Sequence, residues 1–344
     1  MKRFSCPVCR NRTHFRNTQC LACGAQLAFD PATRAMVERG DRAACANRDL
    51  IACNWLAPQD GALCVCCADT KVIPDLSVPG NLERWTVVET AKRRLYDTLN
   101  ALHLPRISPS GKALRFCFMG DEIAPDGSVV HKVMTGHMEG EITLNIAEAD
   151  DDEREARRVA MGEPLRTLLG HLRHEVGHYY WEVLVREAGR EAECARIFGD
   201  ARQDYAAALQ RHYTEGPPAD WREAFISEYA TAHPWEDWAE TWAHLLHIID
   251  GLDTARHYGL DPSGMGFDDA HDLPDIDTLM AAWVPLSTAM NAMNRSMGHN
   301  DFYPFAPSPA VTRKMGYMLQ LIRDAAPLGV EAPEQSRHHG TKVG

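Results

Sequence analysis

Two histidines stand four residues apart in the segment His174-Glu175-Val176-Gly177-His178, with a glutamate directly after the first. Residues four apart share one face of an α-helix, so both imidazoles can bind the same Zn²⁺ ion. The glutamate lies one position further round the helix, where it can take a proton from a zinc-activated water. The segment therefore predicts a catalytic zinc site, with His174 and His178 as ligands and Glu175 as the general base.

Such a zinc ion needs a third protein ligand, and a later tryptophan-rich segment, WEDWAETW at 235–242, supplies two candidates. Glu236 and Glu240 are four residues apart, so one can bind the metal while the other accepts a hydrogen bond from a ligand histidine. We predict that Glu236 is the ligand and Glu240 the acceptor, and the reverse assignment is the alternative. We expect His171 to pack or face solvent rather than act as a fourth ligand, because a catalytic zinc keeps one position open.

Nine of the 11 cysteines lie in the first 67 residues. Four of them form two CxxC pairs, whose two-residue spacers let both thiolates of a pair reach one ion. Two such pairs complete a tetrahedral shell, and this spacing is typical of structural zinc. The predicted ligands of this first site are Cys6, Cys9, Cys20 and Cys23.

A second group of cysteines follows with looser spacing. Cys64 and Cys67 form a CxxC pair that contains Cys66 as a spare thiol, whereas seven residues separate the other two members. The alternative to a second zinc site is a buried cluster of reduced thiols. The predicted ligands of this second site are Cys45, Cys53, Cys64 and Cys67.

Hydrophobic periodicity and the Gly and Pro breaks predict the helices and strands that carry these residues. Strands come early and helices late, which indicates an α+β domain that is mainly helical with a small sheet. The sequence predicts a cysteine-rich module at 1–72, a main domain at 80–328 and a flexible tail at 329–344. Strands are predicted at 114–119, 129–133 and 141–146, and helices at 82–102, 165–186, 191–212, 235–250, 276–296 and 310–325.

Composition and charge exclude several classes of protein. The 344 residues carry a formal net charge of −12, although residues 1–67 hold nine basic residues against five acidic ones. Each zinc held by four thiolates is a −2 centre, so two such sites cancel that local basic excess. Nucleic-acid binding is therefore not expected, because it needs a surplus of cations. We also expect no membrane span and no secretory signal, and a cytoplasmic protein, since paired cysteines in a reducing compartment indicate metal sites.

The pattern of HExGH followed by ExxxE resembles the layout of gluzincins, and residues 229–240 resemble the anthrax lethal factor type of that layout. More closely, nearly the whole chain resembles a bacterial family of zinc-binding metallopeptidases with N-terminal zinc ribbons. The segments that carry this resemblance are CNWL (53–56), ERWTVVETAKRRL (83–95), ITLNIAEADD (142–151), EPLRTLLGHLRHEVGHYYW (163–181), HPWEDWAETWAHLLHI (233–248) and DFYPFAP (301–307).

The resemblance implies a zincin-like metallopeptidase domain after a zinc-ribbon module, with one catalytic and one or two structural zinc ions. It implies that Tyr229, seven residues before Glu236, assists catalysis, and His233 is the alternative hydrogen-bond donor. The expected function is hydrolysis of peptide bonds in a peptide or protein substrate. The alternative is a catalytically silent zincin that binds a protein partner through its zinc ribbons; the intact Glu175 argues against it, because a scaffold needs no general base.

Overall fold

The structure, a computed structural model, describes residues 2–124, 126, 128–161, 167–260 and 264–325. The tail predicted at 329–344 lies outside the described residues. None of the helices in the described ranges has the length and apolar composition that a bilayer span requires. The structure is mainly helical with small sheets and begins with a zinc ribbon, so the predicted fold class is confirmed.

The N-terminal module consists of two antiparallel hairpins and two short helices. Phe29 lies at its centre and contacts the rings of Phe4, Phe15 and Trp55. This aromatic cluster gives a small module a core that its short strands alone do not supply. The elements are β1 (Phe4–Ser5), β2 (Arg12–Thr13), β3 (Leu27–Asp30), β4 (Ala35–Glu38), α1 (Arg48–Ile51) and α2 (Val65–Ala68).

A four-stranded sheet follows, in the order β5-β6-β10-β9. Its first three strands are parallel, and β9 adds antiparallel at one edge. A separate two-stranded hairpin joins β7 to β8. The strands are β5 (Thr70–Val72), β6 (Arg115–Met119), β7 (Glu122–Ile123), β8 (Val129–His131), β9 (Gly136–Met138) and β10 (Glu141–Asn145).

Helices make up most of the rest of the chain. They are α3 (Asn81–Ala101), α4 (Asp151–Met161), α5 (Leu168–Trp181), α6 (Glu191–Phe198), α7 (Tyr205–Glu215), α8 (Pro234–Tyr258), α9 (Ile276–Ser296) and α10 (Pro309–Ala325). A π-helical turn over Glu182–Arg186 continues α5, and short 3₁₀ helices lie at Ile146–Ala149, Trp221–Glu223, Tyr229–Thr231 and Ala270–Asp272.

Helices α5 and α8 pack closely against each other at Gly177. A Cβ atom at this position would lie 3.1 Å from the Cα of Ala239, closer than such contacts normally come. Trp238 is fully buried and donates a hydrogen bond of 2.8 Å to the carbonyl oxygen of Gly177. Glycine thus allows the approach and the tryptophan fixes it, which brings the HExGH segment against the segment 236–240.

The cysteine-rich module is joined directly to the sheet. One residue, Asp69, separates α2 from β5, and its Oδ2 accepts hydrogen bonds from Tyr96 (2.9 Å) and Arg106 (2.7 Å). Thr70 of β5 donates a hydrogen bond of 2.5 Å to Glu89 of α3, which also pairs with the buried Lys92 at 3.0 Å. Because Asp69 and Thr70 directly follow α2 and both bind residues of α3, this helix fixes the end of the module to the main domain.

The single helix predicted at 191–212 is wrong, because two helices occupy this stretch. Gly199 ends α6 with a φ of +97°, a backbone conformation that favours glycine. Asp204 then starts α7, since its side chain accepts a hydrogen bond of 3.0 Å from the backbone N–H of Ala207. This break carries Tyr205 towards the predicted metal site.

Candidate metal centres

The histidine cluster, defined here as His174, His178 and Glu236, lies where α5 and α8 cross. One donor atom from each residue lies within 4.8 Å of the others. His174 Nε2 is 3.1 Å from Glu236 Oε2, and His178 Nε2 is 3.7 Å from Glu236 Oε1. All three residues are buried. The structure therefore brings together the three residues that the sequence predicts as ligands.

The donor set of the histidine cluster fits a zinc ion. Glu236 Oε2 and His178 Nδ1 are buried with no hydrogen-bond partner among the described residues, although Glu236 Oε2 is close to His174. A buried carboxylate oxygen without a hydrogen bond is costly unless a cation binds it. Two imidazoles and a carboxylate are the protein ligands of many catalytic zinc sites, which leave the fourth position to water.

Glu240 orients one of the histidines. His174 Nδ1 lies 2.7 Å from Glu240 Oε1, and Ser227 donates a hydrogen bond of 2.6 Å to Glu240 Oε2. Burial opposes ionisation of Glu240, but the hydrogen bond from His174 and its charge lower the carboxyl pKa to about 2. An ionised acceptor at Nδ1 directs Nε2 of His174 towards the cluster, which is how outer carboxylates support ligand histidines.

Glu175 is buried beside the histidine cluster, and His171 holds it. His171 Nε2 lies 3.2 Å from Glu175 Oε1, while its Nδ1 lies 2.5 Å from Glu148 Oε2. Burial would raise the pKa of Glu175, but the hydrogen bond and charge of His171 lower it. The other carboxylate oxygen, Oε2, is buried with no hydrogen-bond partner among the described residues. Glu175 thus presents an ionised oxygen that can accept a proton.

Two tyrosines lie beside the histidine cluster. The ring centroid of Tyr229 is 6.1 Å from that of His174, and the Tyr205 hydroxyl donates a hydrogen bond of 2.7 Å to Glu236 Oε1. Burial and the charge of Glu236 raise the pKa of Tyr229, so it stays a protonated donor at neutral pH.

His233, the alternative donor, serves a different purpose. Its Nδ1 accepts a hydrogen bond of 3.0 Å from the backbone N–H of Trp235, which caps the N-terminus of α8. Because Nδ1 accepts, Nε2 carries the proton, and it donates to the backbone carbonyl oxygen of Gln203 at 3.3 Å instead of to a substrate. The proline that follows His233 occupies the first turn of α8, where its missing N–H costs nothing.

The sequence does not predict the contacts of two residues in this region. Tyr205 falls inside the single helix predicted at 191–212, and only the Asp204 cap signal indicates a helix start there. His171, predicted to pack or face solvent, bridges Glu148 and Glu175. Its spacing of four residues from Glu175 is the available signal, because residues four apart face each other on a helix.

The first cysteine cluster, defined as Cys6, Cys9, Cys20 and Cys23, has the dimensions of a zinc site. The Sγ atoms of Cys6 and Cys23 are 3.7 Å apart, and those of Cys9 and Cys20 are 3.6 Å apart. A tetrahedron with Zn–S distances of about 2.3 Å has edges of about 3.8 Å. The thiols are therefore arranged as four corners around one ion. Cys9 and Cys23 are exposed and the other two are buried.

The second cysteine cluster, defined as Cys45, Cys53, Cys64 and Cys67, has similar dimensions but is entirely buried. Cys53 Sγ lies 3.8 Å from Cys64 Sγ and 3.7 Å from Cys67 Sγ. Cys66 is also buried but lies outside this set. The thiols that this CxxC segment contributes to the cluster are therefore those of Cys64 and Cys67. Both clusters fit a structural zinc with four thiolate ligands.

Comparisons with known proteins agree with this arrangement. Residues 81–321 match the family described as "Putative zinc-binding metallo-peptidase". The chain belongs to this family. Residues 3–40 match a zinc-ribbon domain, so the predicted combination of an N-terminal zinc ribbon and a domain of this family is confirmed.

Relatives from mycobacteria span almost the whole chain. Uncharacterized proteins of Mycobacterium tuberculosis and Mycobacterium bovis are 43% identical to it over 339 residues. The alignment covers 95% of this chain and 97% of each relative. No solved structure gives a significant match. The family and the ribbon clusters together indicate a zinc-binding protein.

Proposed function

We propose that this protein is a zinc-dependent metallopeptidase that hydrolyses peptide bonds at the histidine cluster. The observation that carries the proposal is Glu175 Oε2, a buried carboxylate oxygen without a hydrogen-bond partner among the described residues. Glu175 directly follows His174 on α5 and lies three positions before His178. A structural site has no use for a free base, whereas hydrolysis requires one.

His174, His178 and Glu236 would hold the zinc, with Glu240 orienting His174. When bound, zinc would supply a Lewis acid that activates water and polarises a carbonyl group. Glu175 takes the proton of the attacking water and later delivers it to the leaving amine. His171 positions Glu175 through the contact of 3.2 Å, so one carboxylate oxygen is fixed while the other receives the proton.

Tyr229 is the proposed donor to the oxyanion of the tetrahedral intermediate. Its raised pKa keeps the hydroxyl protonated, and a donor of this kind contributes several kcal/mol, roughly 3–4, to the stability of a transition state. Strand β9 lies at the edge of the sheet, and its His137 ring is 6.3 Å from that of His178. We propose that an extended peptide substrate adds to this edge, since unpaired strand edges bind peptides.

The proposal includes a peptide or protein as the substrate and the cytoplasm as the location. All 11 cysteines are free thiols in the structure, and thiol clusters remain reduced and able to bind zinc in a reducing compartment. A protein partner that binds the zinc ribbons is also part of the proposal. The support for it is the exposed face of the first cysteine cluster, where Leu21 is 90% exposed.

The test compares wild type with Glu175→Gln on a library of peptides from digested cell proteins, with new N-termini identified by mass spectrometry. We expect the variant to retain its zinc and to cleave about 10²- to 10⁴-fold more slowly, the usual contribution of a general base. Glu193→Gln, on the exposed face of α6, is the matched control and should cleave normally.

A Glu175→Gln protein that keeps its zinc and cleaves at the wild-type rate contradicts the mechanism. A wild-type protein that holds zinc at the histidine cluster and cleaves no peptide contradicts the function itself, and then favours the protein-binding scaffold. Tyr229→Phe, measured in the same assay, should lower kcat by about 10²-fold or more without loss of zinc.

A further inference from the structure

A cavity lies away from the histidine cluster, on the opposite side of α5. Its volume is about 490 Å³, and residues of α3, α5, α8 and α9 line it together with Phe15 of the N-terminal module. Binding sites for small molecules have volumes of roughly 300–1,000 Å³. Arg173 lines this cavity, whereas the next residue, His174, faces Glu236. The cavity is therefore separate from the proposed catalytic site.

The wall of the cavity is mostly apolar. Leu169, Trp283, Leu286, Met290 and Phe302 contribute to it, and they come from three different parts of the chain. An apolar wall of this kind favours a ligand with a hydrocarbon or aromatic body.

Three N–H donors in this wall are buried with no hydrogen-bond partner among the described residues. They are Arg173 Nε, Trp283 Nε1 and Arg94 Nε. Arg173 and Trp283 are each only 3% exposed. Leaving a buried donor unpaired costs about 1–3 kcal/mol, and more for a charged group. The described part of the chain supplies no acceptor atom for these three donors, so a bound ligand with an acceptor atom would remove this cost.

The charges around the cavity leave one cation without a carboxylate. Arg94 forms no ion pair with any described residue, and both burial and the nearby charge of Arg16 lower its guanidinium pKa. The acidic residues of the lining all have basic partners. Asp97 binds Arg34 at 2.7 Å, Asp250 binds Arg173, and Asp253 lies 3.3 Å from His257 and 3.8 Å from His271.

We propose that this cavity binds a small apolar carboxylic acid, with its carboxylate at Arg94 and its hydrocarbon or aryl body against the apolar wall. The guanidinium fork of arginine matches the geometry of a carboxylate. The buried donors of Arg173 and Trp283 supply further hydrogen bonds to an acceptor in the cavity. This binding site does not depend on the proposed peptidase activity.

Two probe acids, decanoate and 4-phenylbutyrate, test the proposal by isothermal titration against the zinc-loaded full-length protein. The alcohol 1-decanol, which has the same chain without the charge, is the matched ligand control. We expect at least one of the two acids to bind. If decanoate binds, 1-decanol should bind at least about tenfold more weakly.

Two variants locate the bound acid. Arg94→Met should weaken acid binding by about tenfold or more, because it removes the unpaired cation. Ser287→Leu should also weaken it, because it fills the cavity while leaving Arg94 intact, and it keeps the test valid if Arg94→Met fails to fold. Arg202→Met, which changes an exposed arginine outside the cavity, should bind like wild type.

The proposal is overturned if neither acid binds, or if decanoate binds and 1-decanol binds as tightly. It is also overturned if the folded Arg94→Met and Ser287→Leu proteins bind the acids as wild type does. Binding that weakens in these variants but not in Arg202→Met supports it. None of these measurements uses peptidase activity, so failure here is distinct from failure of the proposed function.

Discussion

The second cysteine cluster and the histidine cluster are both buried, yet they offer a metal ion different surroundings. The second cysteine cluster has four thiols, whose Sγ separations near 3.8 Å fit a complete tetrahedron. The histidine cluster has three donors, and beside them Glu175 has a carboxylate oxygen with no hydrogen-bond partner among the described residues. A closed shell holds protein segments together, whereas an open one leaves a position for a reacting molecule.

The residues that surround the two clusters also differ. Cys67 of the second cysteine cluster lies in α2, which leads into β5 of the sheet, and Asp69 between these two elements binds Tyr96 and Arg106. The histidine cluster is instead surrounded by groups that orient it, namely Glu240, His171 and Tyr205. Burial alone therefore does not distinguish the two clusters. They differ in the number of donor atoms and in the carboxylate oxygen beside the histidine cluster that has no hydrogen-bond partner among the described residues.

The largest effect is expected from Cys53→Ser in the second cysteine cluster. Structural zinc contributes on the order of 10 kcal/mol to the folding of small zinc domains, so this variant should lose one zinc and unfold at much lower temperature. Cys66→Ser is the matched control, because Cys66 is equally buried but outside the cluster. Zinc content and differential scanning calorimetry measure both. Equal zinc content and equal melting of the two variants would contradict the assignment.

A smaller effect, on metal affinity, distinguishes the two glutamates of α8. Glu236→Gln removes a proposed ligand and should weaken zinc binding at the histidine cluster by more than a hundredfold. Glu240→Gln removes the acceptor for His174 Nδ1 and should weaken it only about 10- to 100-fold, as other supporting carboxylates do. Competition with a zinc chelator measures both affinities. The opposite order of effects would assign Glu240 as the ligand.

The smallest effect comes from a cluster of charged side chains around the buried His271. His271 Nδ1 lies 2.8 Å from Asp269, and its Nε2 lies 3.1 Å from Asp250. Burial opposes protonation of His271, but the hydrogen bonds to both carboxylates raise its pKa to about 9. A folded pKa above the unfolded value of about 6.5 stabilises the fold below pH 6.5, and that stability is lost as pH rises through about 9.

The loss between pH 6.5 and 9 should amount to at most about 3 kcal/mol. Urea unfolding of His271→Gln should show a weaker decline of stability over this range than wild type. His103→Gln, which changes an exposed histidine, is the control and should follow the wild-type curve. A decline in His271→Gln as steep as in wild type would rule out the ion pairs as its source.

The sequence predicted the parts of these sites that depend on short-range spacing. His174 and His178 are four positions apart, as are Glu236 and Glu240, and this spacing correctly predicts that the two pairs lie on helices, here α5 and α8. The overall α+β class followed from the order of strands and helices. The spacing of Cys64 and Cys67 indicated a pair, but only the three-dimensional arrangement separates them from Cys66.

The sequence could not predict contacts between distant segments. Tyr205 reaches Glu236 because Gly199 ends α6 and turns the chain, and a Cβ at this glycine would lie 3.1 Å from Pro234. The role of His171 depends on Glu148, which comes from the segment after β10. Likewise, the cavity beside Arg94 forms only when four helices assemble. Periodicity within one element carries no information on such pairings.

Gly177 has a consequence for how this chain can diverge. A Cβ there would meet Ala239 at 3.1 Å and the Trp242 ring at 3.2 Å. A mutation to alanine would push α8 away and move Glu236 from the two histidines that face it. The atoms of Ala239 that this Cβ would meet are the backbone Cα and carbonyl oxygen, so no substitution at 239 relieves the clash. Descendants of this sequence that keep the histidine cluster should therefore keep glycine at 177.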